Sequence, residues 1–190
     1  IAIMVVHFAG LPCEMDPIIK ICKKNKLFLI EDSAETLGAK YKGRLTGSFG
    51  LGCFSFFPTK NITTTEGGML TLKEKSMYLY AKKLIAHGIK INRKYFWNRE
   101  SEIPGHNFRL PNHLAAMGNS QLKRINILNK KRNKIAKIYD SKLKRFNDLI
   151  KISNIPKNFT HSYQMYTIRV KKNLRNNFIF FLNSKDIGAS

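Results

Sequence analysis

Residues 54–61 read Phe-Ser-Phe-Phe-Pro-Thr-Lys-Asn, and residues 65–68 read Thr-Glu-Gly-Gly before a new apolar run. Aromatic residues therefore lead up to Pro58, and Lys60 lies just beyond them. A lysine beside a hydrophobic wall loses hydration of its ammonium form, which favours the neutral amine that attacks carbonyl groups. Because the chain contains 34 Lys and Arg residues, the spacing alone still favours a surface lysine on a loop between two strands.

The motifs on either side of this segment change that interpretation. Residues 31–35 read Glu-Asp-Ser-Ala-Glu, residues 105–110 read Gly-His-Asn-Phe-Arg-Leu, and residues 121–122 read Gln-Leu. In this order the four segments resemble the Glu-Asp-x-Ala, active-site lysine, Asn-aromatic-Arg and Gln-Leu motifs of the DegT/DnrJ/StrS family. The resemblance covers nearly the whole chain. It implies a pyridoxal-phosphate-dependent sugar aminotransferase of the aspartate-aminotransferase fold.

The resemblance also implies a role for each site residue. Lys60 would hold pyridoxal 5'-phosphate covalently and move a proton between substrate and cofactor. Asp32 would pair with the pyridine nitrogen, and Ser55 would donate to the cofactor phosphate. Asn107 would reach the cofactor phosphate of the neighbouring subunit in a homodimer. Glu35 occupies a cofactor-binding position where the family usually carries Gln or His, so it adds a negative charge near the ring.

Without the resemblance, the same residues also allow purely structural roles. Asp is common in turns and helix caps, so Asp32 could be a turn former at the end of a strand. Ser55 could be a small polar residue inside a strand, and Asn107 could be a turn former after His106. The chain also resembles an internal fragment of the family. The family's N-terminal part, which supplies an aromatic residue over the ring and phosphate-binding backbone, and the end of the small domain are expected to lie outside it.

The hydrophobic pattern predicts an α/β fold. Residues 1–6 and 27–30 are continuously apolar, as expected of strands buried on both faces, and Asp16-Pro17 predicts a helix start between them. This strand–helix–strand order predicts a mostly parallel sheet with right-handed crossovers. Further strands are predicted at residues 51–57 and 69–72, followed by a helix at residues 75–86.

The C-terminal third predicts a second, incomplete domain. From Leu114 to Leu143 the apolar residues keep a helical period, which predicts one long connecting helix. Together with this helix, the family resemblance implies that residues 1–123 are part of a PLP-binding large domain. Residues 124–190 are assigned to the connecting helix and a truncated small α+β domain, with a strand at 163–170 and a helix at 174–183. Residues 89–103 show no period and are predicted to form a variable loop of the kind that carries specificity.

Charge and cysteine content limit the other classes of function. The formal net charge of +22 suggests nucleic-acid binding, but Lys and Arg are spread along the chain and no recognition motif is present. We expect solvated surface that attracts an anionic substrate, and no specific nucleic acid. The three cysteines form no CxxC pair and are odd in number, so no metal site or disulfide framework is expected. Reduced cysteines are typical of a cytoplasmic protein.

The resemblance implies transfer of an amino group, with glutamate as donor, to a keto-sugar nucleotide for cell-surface polysaccharide or amino-sugar biosynthesis. Within the fold, the sugar dehydratase branch carries His in place of the lysine, and Lys60 disfavours that branch. A catalytically silent homologue with a regulatory role remains an alternative because of Glu35. Residues 1–6 are too short to span a bilayer, and no basic segment precedes them, so neither a membrane segment nor a signal peptide is expected.

Overall fold

A computed structural model describes residues 1–89, 97 and 100–190. Most of the predicted loop at 89–103 lies outside the described residues. The elements follow in chain order as β1 (Ala2–Val6), α1 (Met15–Lys24), β2 (Phe28–Asp32), β3 (Lys40–Tyr41), β4 (Arg44–Leu45), β5 (Leu51–Ser55), β6 (Gly68–Thr71), α2 (Lys75–Leu84), α3 (Asn112–Leu122), α4 (Ile125–Leu143), β7 (Ile150–Ile152), β8 (Phe159–Thr160), β9 (Ile168–Val170) and α5 (Arg175–Asn183).

The largest sheet has the strand order β1-β2-β5-β6. The pairs β1–β2 and β2–β5 are parallel, and β6 is antiparallel to β5. The predicted α/β fold with a mostly parallel sheet is therefore confirmed. In this register Asp32 lies opposite both Val6 and Cys53. The carboxyl ends of β1, β2 and β5 thus form one edge, where open α/β sheets bind their ligands.

A second, small sheet ties the C-terminal part of the chain to the N-terminal part. Its strand order is β4-β3-β8, so residues on both sides of the domain boundary predicted at 123/124 contribute to it. The ring of Tyr41, which is buried, packs edge-on against Phe159 with 5.0 Å between ring centroids. Tyr41 also joins Met15 and Val5 in the buried apolar cluster. The boundary itself stays a prediction.

The single long helix predicted from Leu114 is wrong, because two helices, α3 and α4, occupy this segment. Arg124 adopts φ −109° and ψ 6°, and its amide donates to the carbonyl of Gln121 in a turn. No Gly or Pro marks this break, and Lys and Arg are both good helix formers, so apolar spacing did not reveal it. The strand predicted at 163–170 is also shorter than expected, since only Ile168–Val170 is extended and pairs with β7.

None of the helices in the part of the chain that the structure describes has both the length and the apolar character needed to cross a membrane.

Candidate active site

Three of the predicted site residues lie at or just beyond the carboxyl ends of two neighbouring strands. Asp32 is the last residue of β2, and Ser55 is the last residue of β5. Lys60 lies in the connection between β5 and β6, which we call the lysine loop (residues 56–67). The loop is closed at its base, because the amide of Phe56 donates to the carbonyl of Gly67 at 2.9 Å. The fold thus brings a carboxylate, a hydroxyl and an amine to one edge of the sheet.

The amine of Lys60 pairs with Glu35. Nζ lies 3.4 Å from Glu35 Oε1, and the two side chains are 17% and 21% exposed. The other carboxylate oxygen of Glu35 accepts a hydrogen bond of 2.7 Å from the amide of Ala9, in the loop that follows β1. Because both partners are mostly shielded from water, this pair interacts more strongly than a fully exposed one. Among the described residues, no hydrogen bond joins Asp32 or Ser55 directly to Lys60.

Asp32 forms a local turn. Its Oδ1 accepts a hydrogen bond of 3.0 Å from the amide of Ala34, the geometry of an Asx turn. The turn-forming alternative for this residue is therefore present, and pairing of Asp32 with a cofactor nitrogen stays a prediction. Burial, together with the charges of Asp32 and Glu31, raises the pKa of the Cys53 thiol above its usual value. The two carboxylates therefore contribute negative charge around Cys53.

Ser55 keeps its capacity to donate a hydrogen bond. The hydroxyl oxygen accepts from the amide of Phe57 at 3.3 Å, a distance beyond the usual range for a strong bond. A serine hydroxyl carries one donor hydrogen besides its acceptor sites. Ser55 can therefore donate to an anionic group such as a phosphate without losing this contact.

Among the described residues, no hydrogen bond joins Asn107 to the other predicted site residues. It forms an isolated antiparallel bridge with Ala86 and is exposed. The neighbouring Phe108 is 67% exposed and stacks on His106 with 4.7 Å between ring centroids. The structure does not bring Asn107 to Lys60 of the same chain. Its predicted contact with a partner subunit stays a prediction.

The sequence analysis missed a buried pair of side chains that stabilises this edge of the sheet. Glu31 and His7 are both fully buried, and Glu31 Oε2 lies 3.1 Å from His7 Nε2. Glu31 also accepts backbone N–H bonds from Gly47, Phe49 and Gly50 at 2.7 to 2.8 Å. Burial alone would raise the pKa of Glu31, but these hydrogen bonds lower it below its ordinary value.

The position of Glu31 in its strand could have revealed this role. Successive side chains of a strand point to opposite faces, so Glu31 must point away from the face that Asp32 occupies. A carboxylate on the inner face of a buried strand requires hydrogen-bond donors. The Gly-rich segment at residues 47–52 was the sequence feature that offered backbone donors.

Gln121, the first residue of the Gln-Leu motif, contacts the lysine loop directly. Its side-chain Oε1 accepts from the amide of Thr63 at 3.2 Å, and its Nε2 donates to the carbonyl of Thr63 at 2.6 Å. A side-chain amide that pairs with both backbone groups of one residue fixes that residue in position and orientation. Helix α3 therefore supports the loop that carries Lys60.

Comparison with known proteins agrees with these observations. The sequence model of the DegT/DnrJ/EryC1/StrS aminotransferase family matches residues 1–190. GDP-perosamine synthase of Escherichia coli O157:H7 is 39% identical over 168 residues, which cover 88% of this chain and 44% of that protein. The chain spans about half the length of the curated relatives that it matches.

Solved structures of sugar-modifying aminotransferases share the fold. Helicobacter pylori PseC, an aminotransferase involved in the biosynthesis of pseudoaminic acid, superimposes with a TM-score of 0.88 at 32% identity, over 96% of this chain and 49% of that one. The PLP-form of the putative sugar aminotransferase Spr1654 from Streptococcus pneumoniae gives a TM-score of 0.89 at 27% identity, over 98% of this chain and 53% of that one.

Proposed function

Since the chain belongs to the DegT/DnrJ/EryC1/StrS aminotransferase family, we propose that the whole protein transfers an amino group from glutamate to a keto-sugar nucleotide. The observation that carries this proposal is the partly buried Lys60 at the carboxyl edge of the sheet, with Glu35 at 3.4 Å from its amine. The relative named GDP-perosamine synthase supports a nucleotide-linked sugar as substrate, and we propose polysaccharide or amino-sugar biosynthesis as the context.

The side chains at this edge fit pyridoxal 5'-phosphate. An amine, a carboxylate and a hydroxyl match the aldehyde, the protonated ring nitrogen and the phosphate of that cofactor. Asp32 is the last residue of β2, at the same edge of the sheet as Lys60, and this position supports its use as the carboxylate partner of the ring. When bound, the cofactor supplies an electron-accepting ring that stabilises negative charge at the substrate carbon. We infer that Lys60 would hold it, with Asp32 at the ring and Ser55 at the phosphate.

Lys60 has two tasks in this proposal. Its Nζ would bind the cofactor, and its free amine would carry a proton to and from the substrate carbon. The carboxylate of Asp32 would pair with the ring nitrogen. The free hydroxyl hydrogen of Ser55 would restrain the phosphate. Glu35 orients Nζ at the edge of the sheet through the contact of 3.4 Å.

Glu35 also motivates a second candidate function, a catalytically silent homologue. The carboxylate at 3.4 Å holds the amine of Lys60 in a partly buried pair, and the amine must leave this pair before it can attack a carbonyl. Replacing Glu35 by Gln separates the two possibilities. If Glu35 only orients Lys60, the wild-type protein already transfers the amino group. If Glu35 traps Lys60, transfer appears only in the Glu35→Gln variant.

We further propose a cytoplasmic homodimer. Asn107 and Phe108 are exposed on one segment, which supports a contact with a second subunit. In that dimer Asn107 would serve the cofactor phosphate of the partner. All three cysteines are free, as expected in a reducing compartment.

The test of this function uses the full-length protein that contains the chain. It is incubated with pyridoxal phosphate, glutamate with a heavy amino nitrogen, and a panel of keto-sugar nucleotides. We expect mass spectrometry to detect heavy nitrogen in at least one sugar nucleotide. Lys60→Ala should abolish the transfer, and Lys20→Ala, which replaces an exposed lysine on α1, should leave it unchanged. Transfer that persists in Lys60→Ala would contradict the assignment.

A further inference from the structure

Besides the side-chain amide of Gln121, a second side-chain amide, that of Asn129 on α4, contacts the lysine loop. Asn61, the residue after Lys60, is only 7% exposed. Its Nδ2 donates to Asn129 Oδ1 at 2.8 Å and to the carbonyl of Ser162 at 2.9 Å. Both acceptors come from the C-terminal part of the chain. The residue next to Lys60 is therefore anchored to α4 by one partly buried hydrogen bond and to the segment after β8 by one buried hydrogen bond.

The same side chain reaches the loop that carries Glu35. Asn129 Nδ2 donates to the carbonyl of Leu37 at 2.9 Å. Leu37 is two residues beyond Glu35, and Asn61 is one residue beyond Lys60. One amide thus bridges the two segments whose side chains form the ion pair at the site. Its acceptor atom serves one segment and its donor atom serves the other.

We propose that Asn129 is a positioning residue that sets the separation between the Lys60 amine and the Glu35 carboxylate. The two loops come from different parts of the sequence, and the 3.4 Å contact exists only when both are held in register. A side chain that accepts from one loop and donates to the other fixes that register. The consequence for catalysis rests on the proposed function, but the positioning role does not.

The backbone leaves room for this bridge at one glycine. Gly38 adopts φ +83°, and a Cβ there would lie 2.7 Å from Asn129 Nδ2. Gly43 provides a matched comparison, since it adopts φ +81° but a Cβ there would meet no atom within 4 Å. An alanine at either position suffers the same kind of backbone strain. Only at Gly38 does the alanine also displace Asn129.

The substitutions at Asn129 follow from its two roles. Asp keeps an acceptor for Asn61 but places a second acceptor against the carbonyl of Leu37. Leu removes both hydrogen bonds at a similar volume. If the bridge sets the ion pair, both substitutions separate Lys60 from Glu35. Gly38→Ala should also separate Lys60 from Glu35, although residue 129 remains Asn in this variant. Gly43→Ala should leave the ion pair intact.

The test measures how fast Lys60 reacts with a small amine-specific reagent in the full-length protein without cofactor or substrate. Peptide mass mapping gives the rate at Lys60 relative to the exposed Lys20 in the same sample. Loss of the Glu35 carboxylate as ion-pair partner should raise the reaction rate of Lys60, relative to that of Lys20, about threefold or more. We expect this increase in Glu35→Gln, Asn129→Asp and Gly38→Ala, and not in Gly43→Ala.

A double-mutant cycle separates positioning from general loosening of the fold. If Asn129 acts through the ion pair, Asn129→Asp has no further effect once Glu35 is Gln. Additive effects, or an unchanged rate in Asn129→Asp and Gly38→Ala, overturn the proposal. If Asn129→Asp does not fold, the comparison of Gly38→Ala with Gly43→Ala decides the question. The proposed function can fail independently, because this readout needs no bound cofactor and no turnover.

Discussion

Replacing Glu31 by Gln is the most severe test of the buried Glu31–His7 pair that stabilises this edge of the sheet. In the wild type the carboxylate accepts from three backbone amides and lies beside His7 Nε2. A glutamine oxygen can still accept from the amides of Phe49 and Gly50. The new NH₂ group, however, faces the amide of Gly47 and the ring nitrogen of His7. The substitution therefore sets donors against donors in a region that excludes water.

The magnitude follows from the groups left without an acceptor. His7 cannot turn Nε2 into an acceptor, because the amide of Cys13 already donates to Nδ1 at 3.0 Å. Two buried donors thus lose their partner, at about 1–3 kcal/mol each. We expect Glu31→Gln to lower the free energy of unfolding by about 2–6 kcal/mol.

The assay is urea unfolding of the full-length protein, compared with Glu14→Gln. Glu14 is exposed and makes no capping hydrogen bond, so its substitution should change the free energy of unfolding by less than about 0.5 kcal/mol. Folding lowers the pKa of Glu31, so its contribution is complete above the unfolded value of about 4.3 and is lost as pH falls below it. Equal stability of the two variants at neutral pH would refute this reasoning.

Three further predictions concern the site and its surroundings. Asp32→Asn keeps the acceptor for the amide of Ala34 but removes the charge, so we expect normal folding and about 10²–10³-fold slower turnover; wild-type turnover would make Asp32 only a turn former. Burial lowers the pKa of His161 to about 4, so the free energy of unfolding should fall as pH drops from about 6.5 towards that value. His161→Gln should flatten this decline in urea titrations, and an unchanged slope would contradict the explanation. Mixed dimers of inactive Lys60→Ala and Asn107→Ala subunits should regain activity at up to half of their sites. In a two-fold dimer each site would combine Lys60 of one subunit with Asn107 of the other, so one site of the mixed dimer keeps both residues. Subunit exchange without activity would show that Asn107 serves no partner.

The main sheet and the position of the lysine could be predicted from the sequence. The runs at residues 1–6 and 27–30 are apolar throughout, a pattern typical of parallel strands covered on both faces. Strand, helix and strand then follow one another, which restricts the topology. The motif order placed Lys60 in the connection after β5, and the family assignment is confirmed.

Contacts between distant segments could not be predicted in this way. His7 and Glu31 are 24 residues apart, and Asn129 contacts residues 68 and 92 positions away. Hydropathy marks such polar residues as exposed, whereas here they are satisfied by one another. The two-residue strands β3, β4 and β8 carry no period that could be recognised. The sequence also left two roles open for Asp32, and the structure shows the turn.

The most direct test of the central claim is to identify the lysine that binds the cofactor. The full-length protein is incubated with pyridoxal phosphate, reduced with borohydride, digested, and analysed by peptide mass mapping. We expect the label on Lys60 alone, because Lys60 combines partial burial, a carboxylate partner at 3.4 Å and a position at the carboxyl edge of the sheet. Label on a different lysine, with Lys60 unmodified, would contradict the proposed role of Lys60.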